Sequence, residues 1–327
     1  MAKIYALIVT YGNHKEQLQK VLNKTLINEN VDHIFIVDNG SNYSLKDEIE
    51  QVTDEKVSLI VLSENTGSAG GFSTGIKQVV DYSQDNDDRV LILDDDSYAE
   101  LDAIEKINAY ERELKEKQDV VWSLNRLSVD EFPVPPKEEY DYSVEYYYNS
   151  FYRFSVTNIL PRNKYKVKRK DKNIKYLVMA PYSGLLVKVS TIREVGFPIE
   201  EMYLYSDDIE YTYRISSFGY KIYQPYDANI RDIVGSWFNA KSINVHDAYF
   251  DGERNNIRAL YAYRNEAYLA KRVFQRNVLL SNLNYAMWLL NLFLRRMPKS
   301  ASGLKHFKEI LIMTLQGRKG ILGKIKK

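Results

Sequence analysis

The chain of 327 residues contains no cysteine. This absence excludes disulfide bonds and metal sites built on thiolates, and it is typical of proteins that work in the reducing cytosol. The chain also lacks the apolar stretch of a secretory signal peptide, because Met1 to Ile4 lead directly into a strand-like segment. We therefore expect a cytoplasmic protein.

Acidic residues are scarce near the C-terminus. From Lys271 to Lys327 there are 13 lysines and arginines but one acidic residue, Glu309, although the whole chain has a net charge of +1. Such an asymmetry is typical of a basic segment that binds an anionic partner, either a nucleic acid or a membrane. Hydrophobic residues make up 45% of the chain, which is enough for a large core and excludes global disorder.

Strand-like and helix-like patterns alternate in the first hundred residues. Between short apolar runs, Leu18, Val21, Leu22 and Leu26 share one face of a predicted helix. This alternation predicts an α/β fold in which a mostly parallel sheet lies between two layers of helices. The four predicted strands are Ile4–Val9, His33–Val37, Val57–Leu62 and Val90–Leu93.

A polar cluster follows each of the four predicted strands. Because ligands bind at the carboxyl ends of strands in such sheets, a nucleotide site explains all four clusters. The three aspartates after the fourth strand suit a divalent ion bound to a diphosphate, and a solvated acidic loop is the alternative. The clusters are Thr10-Tyr11, Asp38-Asn39-Gly40, Asn65-Thr66-Gly67 and Asp94-Asp95-Asp96.

The segment from Asn65 to Phe72 is a glycine-rich turn that opens a predicted helix. Its glycines permit a close approach of the backbone to a ligand, and a helix N-terminus favours negative charge. The turn lacks the Gly-Lys-Ser/Thr of a P-loop and the spacing of a dinucleotide-binding fingerprint. It therefore excludes those two classes of nucleotide site.

A second acidic group, Asp207, Asp208 and Glu210, lies between aromatic segments and is followed by Arg214. Helix capping is one explanation for aspartates at a helix start. Adjacent carboxylates among aromatic residues are costly without partners, so the other interpretation is that one of them is a general base for an acceptor hydroxyl.

In order and spacing, these motifs resemble those of glycosyltransferase family 2 enzymes with the GT-A fold. The resemblance covers residues 1–270 and includes the family's catalytic-base motif at Asp207–Arg214 and its downstream helix at Tyr261–Asn265. Bacterial galactofuranosyl- and rhamnosyltransferases look most similar. The implied fold is a GT-A (nucleotide-diphospho-sugar transferase, Rossmann-like) αβα sandwich with a C-terminal helical appendage.

The resemblance also implies a role for each motif. Asp208, with Asp207 beside it, is the expected catalytic base of an inverting displacement. Asp94 and Asp96 are expected to hold Mn²⁺ or Mg²⁺, which neutralises the departing diphosphate. The implied nucleotide-sugar-binding residues are Thr10, Tyr11, Asp38, Asn65, Gly67, Gly70, Gly71, Asp94 and Asp95.

One departure from the family concerns the third metal ligand. Related galactofuranosyltransferases carry a metal-binding histidine downstream of the base, where this chain has Asp232. A carboxylate suits Mg²⁺ or Mn²⁺, so we expect Asp232 to complete the site. His246, further along the chain, is the alternative.

We predict two domains: residues 1–265 form the glycosyltransferase domain, with a Tyr-rich insertion or lid at 133–175, and residues 266–327 form a basic helical segment. Val278–Leu294 is apolar but short for a membrane span. It is predicted to lie as an amphipathic helix at the inner face of the plasma membrane. Packing on the catalytic domain or a homo-oligomer is the alternative, and no nucleic-acid motif is present.

The predicted function is transfer of galactofuranose from UDP-galactofuranose to a hydroxyl of a lipid-linked oligosaccharide acceptor for a bacterial surface polysaccharide. The alternatives are a rhamnosyltransferase that uses dTDP-rhamnose, or an inactive sugar-binding or scaffold protein. A sugar nucleotidyltransferase is disfavoured, because Ile8–Asn13 lacks the basic, glycine-rich loop expected after the first strand.

Overall fold

The computed structural model describes residues 2–50, 55–114, 120–128, 131–133, 140–159, 162–169, 171–233, 257–299 and 302–325. The chain divides into two compact units. The first, called the sheet unit, comprises Met1–Asp141, Lys168–Ile199 and Tyr211–Ser236. The second, called the helical unit, comprises Tyr142–Val167, Glu200–Glu210 and Trp237–Lys327.

The described strands are numbered in chain order. They are β1 Ile4–Gly12, β2 His33–Ser41, β3 Val57–Val61, β4 Arg89–Asp94, β5 Ser97–Ala99, β6 Val120–Ser123, β7 Asn125–Leu127, β8 Tyr140–Tyr142, β9 Lys166–Lys168, β10 Ile174–Leu177, β11 Leu185–Lys188, β12 Lys221–Pro225 and β13 Asn229–Asp232.

An eight-stranded sheet with the order β10-β12-β6-β11-β4-β1-β2-β3 forms the centre of the sheet unit. The four strands predicted from the sequence are neighbours, and β4, β1, β2 and β3 run parallel to one another. β11 lies antiparallel between β4 and β6. The prediction of a mostly parallel sheet is therefore confirmed for this half of the sheet.

Helices cover both faces of this sheet, because side chains of β1 alternate between two hydrophobic clusters. Ile4 and Ile8 pack in one cluster with the helix Lys15–Leu26, whereas Leu7 and Val9 pack in the other with the helix Gly67–Tyr82. The predicted αβα sandwich is thus confirmed. The first six described helices are α1 Lys15–Leu26, α2 Leu45–Glu50, α3 Gly67–Tyr82, α4 Ala103–Glu113, α5 Val189–Val195 and α6 Asp207–Ser217.

A second, three-stranded sheet follows directly from the end of β4. In it, β13 pairs antiparallel with β5 and parallel with β7. Asp232 is opposite Ser97, and the backbone N–H of Ile233 donates to the carbonyl oxygen of Asp96 at 2.8 Å. This pairing brings the end of β13 beside the three consecutive aspartates.

The helical unit contains α7 Ile257–Tyr268, a π-helical turn Leu269–Val273, α8 Val278–Arg295 and α9 Gly303–Lys319. Tyr263, Trp288 and Ile310 form its core with Phe151. A Cβ atom at Gly317 would lie 1.8 Å from the carbonyl oxygen of Arg264, so only glycine permits this close approach of α7 and α9. None of the described helices is long and apolar enough to cross a bilayer.

Several tyrosines of the predicted insertion pack within the helical unit. The ring of Tyr152 stacks on Trp288 with centroids 5.5 Å apart, and the Tyr142 and Tyr146 rings are 4.7 Å apart. These contacts give the tyrosines a structural role, since aromatic pairs at such distances stabilise a core. The lid function of residues 133–175 stays a prediction.

Candidate functional site

Parallel pairing brings the polar ends of β1, β2 and β4 to one edge of the sheet. In the sheet register, Val9 is opposite Asp94 and Thr10 is opposite Asp38. The Oδ1 atom of Asp38 accepts a 2.8 Å hydrogen bond from the backbone N–H of Ser41, which fixes the last residues of β2. Three of the four predicted polar clusters therefore lie together.

Asp95 points into the protein and fixes the end of β1. The hydroxyl of Thr10 donates to Asp95 Oδ2 at 2.7 Å, and Nδ1 of His14 lies 2.9 Å from the same oxygen. The ring of Tyr11 packs 4.6 Å from the His14 ring and is partly exposed. Since Asp95 is 5% exposed, its carboxylate serves chiefly to position Thr10 and His14.

The glycine-rich turn before α3 is held by Asn39, which lies near the end of β2. Its Nδ2 donates to the carbonyl oxygen of Gly67 at 2.8 Å, and its Oδ1 accepts from the backbone N–H of Thr66 at 2.8 Å. Asn65 Oδ1 accepts a further bond from the Gly67 N–H, and Gly67 has a φ of 75°. The second and third polar clusters therefore form one hydrogen-bonded structure.

Gly70 and Gly71 are required by the packing of α3. A Cβ atom at Gly70 would lie 2.5 Å from the Thr66 side chain, and one at Gly71 would lie 2.7 Å from Cγ1 of Val9. Both separations are too short for any other residue. The helix thus comes close to β1 at Gly71 and to Thr66 at Gly70, and the contact of these glycines with a nucleotide stays a prediction.

Arg126 of β7 lies among the three carboxylates predicted to hold the metal. Its Nε donates to Asp232 Oδ1 at 2.7 Å, its Nη1 to Asp94 Oδ2 at 3.2 Å and its Nη2 to Asp96 Oδ1 at 3.4 Å. The Asp232 side chain is 2% exposed, whereas the others are 33% to 38% exposed. The structure therefore brings the three aspartates together around a cationic side chain.

The charges in this cluster shift the pKa of each member. Burial raises the pKa of Asp94 to about 7, and the neighbouring carboxylates add to the rise, while Arg126 opposes it. Burial also raises the pKa of Asp96 and of Asp232 against the effect of Arg126. For Arg126 itself, burial lowers the pKa but the carboxylates outweigh it, so the net shift is upward.

The donor set fits the implied metal. Three carboxylates supply hard oxygen ligands, which Mg²⁺ and Mn²⁺ prefer, and the cluster already attracts one cation. Within the described parts of the chain, however, no three such side chains are placed as a metal ion requires. The guanidinium of Arg126 lies among them instead. The alternative ligand, His246, lies outside the described residues.

The second acidic group stands at the start of α6. The Asp208 Oδ1 atom accepts a 2.8 Å bond from the backbone N–H of Ile209, and Asp207 and Glu210 are buried. Burial raises the pKa of Asp208 to about 6. Arg214, later in the same helix, donates to the carbonyl oxygen of Phe197 at 2.9 Å. Asp208 thus occupies a helix start and also has the raised pKa expected of a general base.

The loop before α6 has an unusual backbone. The φ values of Tyr203, Tyr205 and Ser206 are 63°, 67° and 63°. They lie in the left-handed region, which is unfavourable for residues other than glycine. The Nδ2 atom of Asn265 in α7 donates to the carbonyl oxygens of Met202, Leu204 and Tyr205 at 2.7, 2.9 and 2.8 Å. Asn265 therefore holds this strained loop in place.

Sequence reasoning missed the roles of Arg126, Asn39 and His14. Arg126 could have been found, because it follows the apolar run Val120–Ser123 in the same way that the other polar clusters follow their strands. Asn265 was included only as part of a helix motif, and its contacts with the loop before Asp207 depend on the tertiary fold.

Comparison with known proteins agrees with this geometry. A family model described as Glycosyl transferase family 2 matches residues 5–177. The chain is 24% identical over 325 residues to the dTDP-rhamnosyl transferase RfbF of Shigella flexneri, and the match covers 98% of this chain and 97% of the relative.

Two solved structures have a similar fold. The S. aureus TarS 1-349 structure superposes with a TM-score of 0.53 at 13% sequence identity. The match covers 98% of this chain and 83% of the TarS chain. GalNAc-T7 with UDP, GalNAc and Mn²⁺ superposes with a TM-score of 0.51 at 11% identity and covers 72% of this chain. This chain spans 45% of the length of that GalNAc-T7 chain. At these identities, the two likenesses establish the fold alone.

Proposed function

The chain belongs to glycosyl transferase family 2, and from this premise we propose that it transfers rhamnose from dTDP-rhamnose to a hydroxyl of a lipid-linked oligosaccharide. One observation supports dTDP-rhamnose as the donor: the relative that matches nearly the whole chain is a dTDP-rhamnosyl transferase. The resemblance of the sequence motifs favours galactofuranose from UDP-galactofuranose, and this donor is the competing candidate.

The residues at the edge of the sheet have distinct roles in this proposal. Asp94, Asp96 and Asp232 would hold Mn²⁺ or Mg²⁺, which supplies a positive charge to the departing nucleoside diphosphate. Asp38 and the turn held by Asn39 line the nucleotide site. Further residues proposed for it are Thr10, Tyr11, Asn65, Gly67, Gly70, Gly71, Asp94 and Asp95.

Asp208 is the proposed base. Its raised pKa, about 6, leaves the carboxylate ionised at neutral pH yet basic enough to accept the proton of the acceptor hydroxyl. The hydroxyl oxygen then forms the new bond to the anomeric carbon as the bond to the diphosphate breaks, so the configuration inverts. Asp207, buried beside it, supports the helix start.

The donor is tested with the intact chain and Mn²⁺. We expect dTDP to raise the melting temperature more than UDP or GDP, because a ligand that binds the folded state stabilises it by mass action. Slow release of dTDP from dTDP-rhamnose should accompany this shift. If UDP stabilises instead and UDP-galactofuranose is consumed, the competing donor is correct. If no nucleotide shifts the melting temperature, the protein is an inactive sugar-binding or scaffold protein.

We also propose that α8 brings the enzyme to the inner face of the plasma membrane. One face of this helix packs in the helical unit through Tyr285, Trp288 and Leu292. The other carries an exposed apolar stripe with helical spacing, and exposed apolar groups beside basic residues suit an anionic lipid surface. The stripe consists of Leu279, Leu283, Met287, Leu290 and Leu294.

Vesicle flotation tests this surface. The intact chain should float with anionic vesicles at low salt and less at high salt, because screening weakens the attraction of its basic residues. A double variant, Leu283→Gln with Leu290→Gln, should lose flotation, whereas Val61→Gln, an exposed apolar position of the sheet unit, should retain it. If the double variant instead converts a dimer to a monomer, the stripe is an oligomer interface.

This proposal also divides the work between two parts of the chain. Residues 1–265 catalyse the transfer, and residues 266–327 bring the enzyme to the membrane.

A further inference from the structure

One guanidinium group contacts every carboxylate of the proposed metal site. Arg126 donates from three different nitrogens to Asp232, Asp94 and Asp96, at 2.7, 3.2 and 3.4 Å. Each nitrogen thus has its own carboxylate. A surface ion pair does not require this arrangement, because one carboxylate would satisfy one face of the guanidinium.

We propose that Arg126 is an internal cation that occupies the metal position in the donor-free protein and leaves it when metal and diphosphate bind together. The inference rests on the proposed function, since it concerns the same site. Arg126 is then a positioning residue that controls the order in which ligands bind. A free divalent ion competes with the arginine for the carboxylates, whereas an ion that arrives with a diphosphate does not.

Electrostatics supports the exchange. Three neighbouring carboxylates repel one another. The side chain of Asp232 is nearly buried, so water does little to stabilise its negative charge. Arg126 relieves this repulsion in the absence of metal. A divalent ion on the same oxygens would lie close to the guanidinium, and two cations in a partly buried site repel strongly.

The diphosphate removes this conflict. Guanidinium groups bind phosphate oxygens in a bidentate manner, with the same planar geometry that they use for carboxylates. The side chain of Arg126 is 36% exposed, so it has room to turn from the carboxylates toward solvent or a ligand. Once the guanidinium has turned away, the three carboxylates can close around an ion.

The test measures Mn²⁺ affinity without turnover, by isothermal titration calorimetry and by the EPR signal of free Mn²⁺. All titrations are carried out at pH 8. The Arg126→Gln variant should bind free Mn²⁺ roughly tenfold or more tightly than the wild type, because the competing positive charge is gone. Its gain in Mn²⁺ affinity on adding dTDP should be smaller than that of the wild type.

The matched control is Arg231→Gln on the neighbouring strand β13. Arg231 Nε donates to Glu100 Oε1 at 3.0 Å, so this variant also breaks an arginine–carboxylate pair in the small sheet. It should leave Mn²⁺ affinity unchanged. Melting curves of all three proteins in EDTA check that each is folded.

Equal or weaker binding of free Mn²⁺ by Arg126→Gln overturns the inference, because the arginine would then order the carboxylates for the ion rather than exclude it. This outcome is separate from the fate of the proposed function. If the wild type transfers sugar but the variant shows no gain in free Mn²⁺ affinity, only the inference fails. If the gain is found but no nucleotide sugar is consumed, only the proposed function fails.

Discussion

Replacement of Asn265 by alanine tests whether the strained loop before Asp207 matters for catalysis. The wild-type amide donates to three carbonyl oxygens of the loop, from Met202, Leu204 and Tyr205, and is fully buried. Buried carbonyls that lose their donors cost about 1 to 3 kcal/mol each before relaxation, so we expect a loss of about 3 kcal/mol in the free energy of unfolding.

Release of the loop has a second consequence. Three residues with positive φ store roughly 1 to 2 kcal/mol each, so without Asn265 the loop is expected to relax toward ordinary backbone geometry. The loop leads directly into Asp207 and Asp208, and a small displacement of a base costs roughly 100-fold in rate. Turnover should therefore fall by about this factor, with donor affinity little changed.

Asn284→Ala is the matched control. Asn284 is also fully buried in the helical unit, and its side chain makes hydrogen bonds with Asn149, Ser155 and Val156. The two variants should lose similar stability in thermal melts, but only Asn265→Ala should lose turnover, measured as release of nucleoside diphosphate. Faster hydrogen exchange at residues 203–206 should accompany the loss. Equal turnover by both variants at a temperature where both are folded would refute this reasoning.

Two further predictions concern single carboxylates. Asp208→Asn should lower turnover by roughly 10²- to 10⁴-fold without weakening donor binding, and the wild-type rate should decline as pH falls below about 6, because the base becomes protonated. Asp94→Asn should melt at a higher temperature than the wild type at pH 8 in EDTA. Because the pKa of Asp94 is raised on folding, its contribution to the free energy of unfolding is fully present below about pH 4 and is lost as pH rises through about 7. The difference in melting temperature between the asparagine variant and the wild type should therefore shrink at low pH.

Much of the sheet unit follows from local pattern. The runs Ile4–Val9, His33–Val37 and Val90–Leu93 are mostly apolar and rich in isoleucine and valine, and the helices between them carry one apolar face. Because both faces of the sheet are covered, these strands are continuous apolar runs that sequence inspection detects. The small sheet was not predicted, since β5, β7 and β13 have only three or four residues each and carry no clear period.

The candidate site was predictable where it lies at strand ends and not where tertiary contacts create it. The aspartates after β4 and Asp232 were identified from the sequence, and the structure brings them together. The contact of Arg126 with all three depends on the pairing of β13 with β7, which are far apart in sequence. A loop with tyrosines at positive φ contradicts local preference, and tertiary contacts such as those of Asn265 stabilise it.

Residues near the C-terminus contact the part of the helical unit that leads into α6. The excess of lysine and arginine in the C-terminal segment suggests a separate appendage, yet its last described residues hold the loop region before α6. The N–H of Gly323 donates to the carbonyl oxygen of Glu201, and the N–H of Ile325 donates to the hydroxyl of Tyr261 at 2.8 Å. Truncation from Lys271 would therefore remove contacts near the proposed base as well as the proposed membrane surface. Only substitutions on the exposed stripe of α8, which leave these contacts intact, can separate location from catalysis.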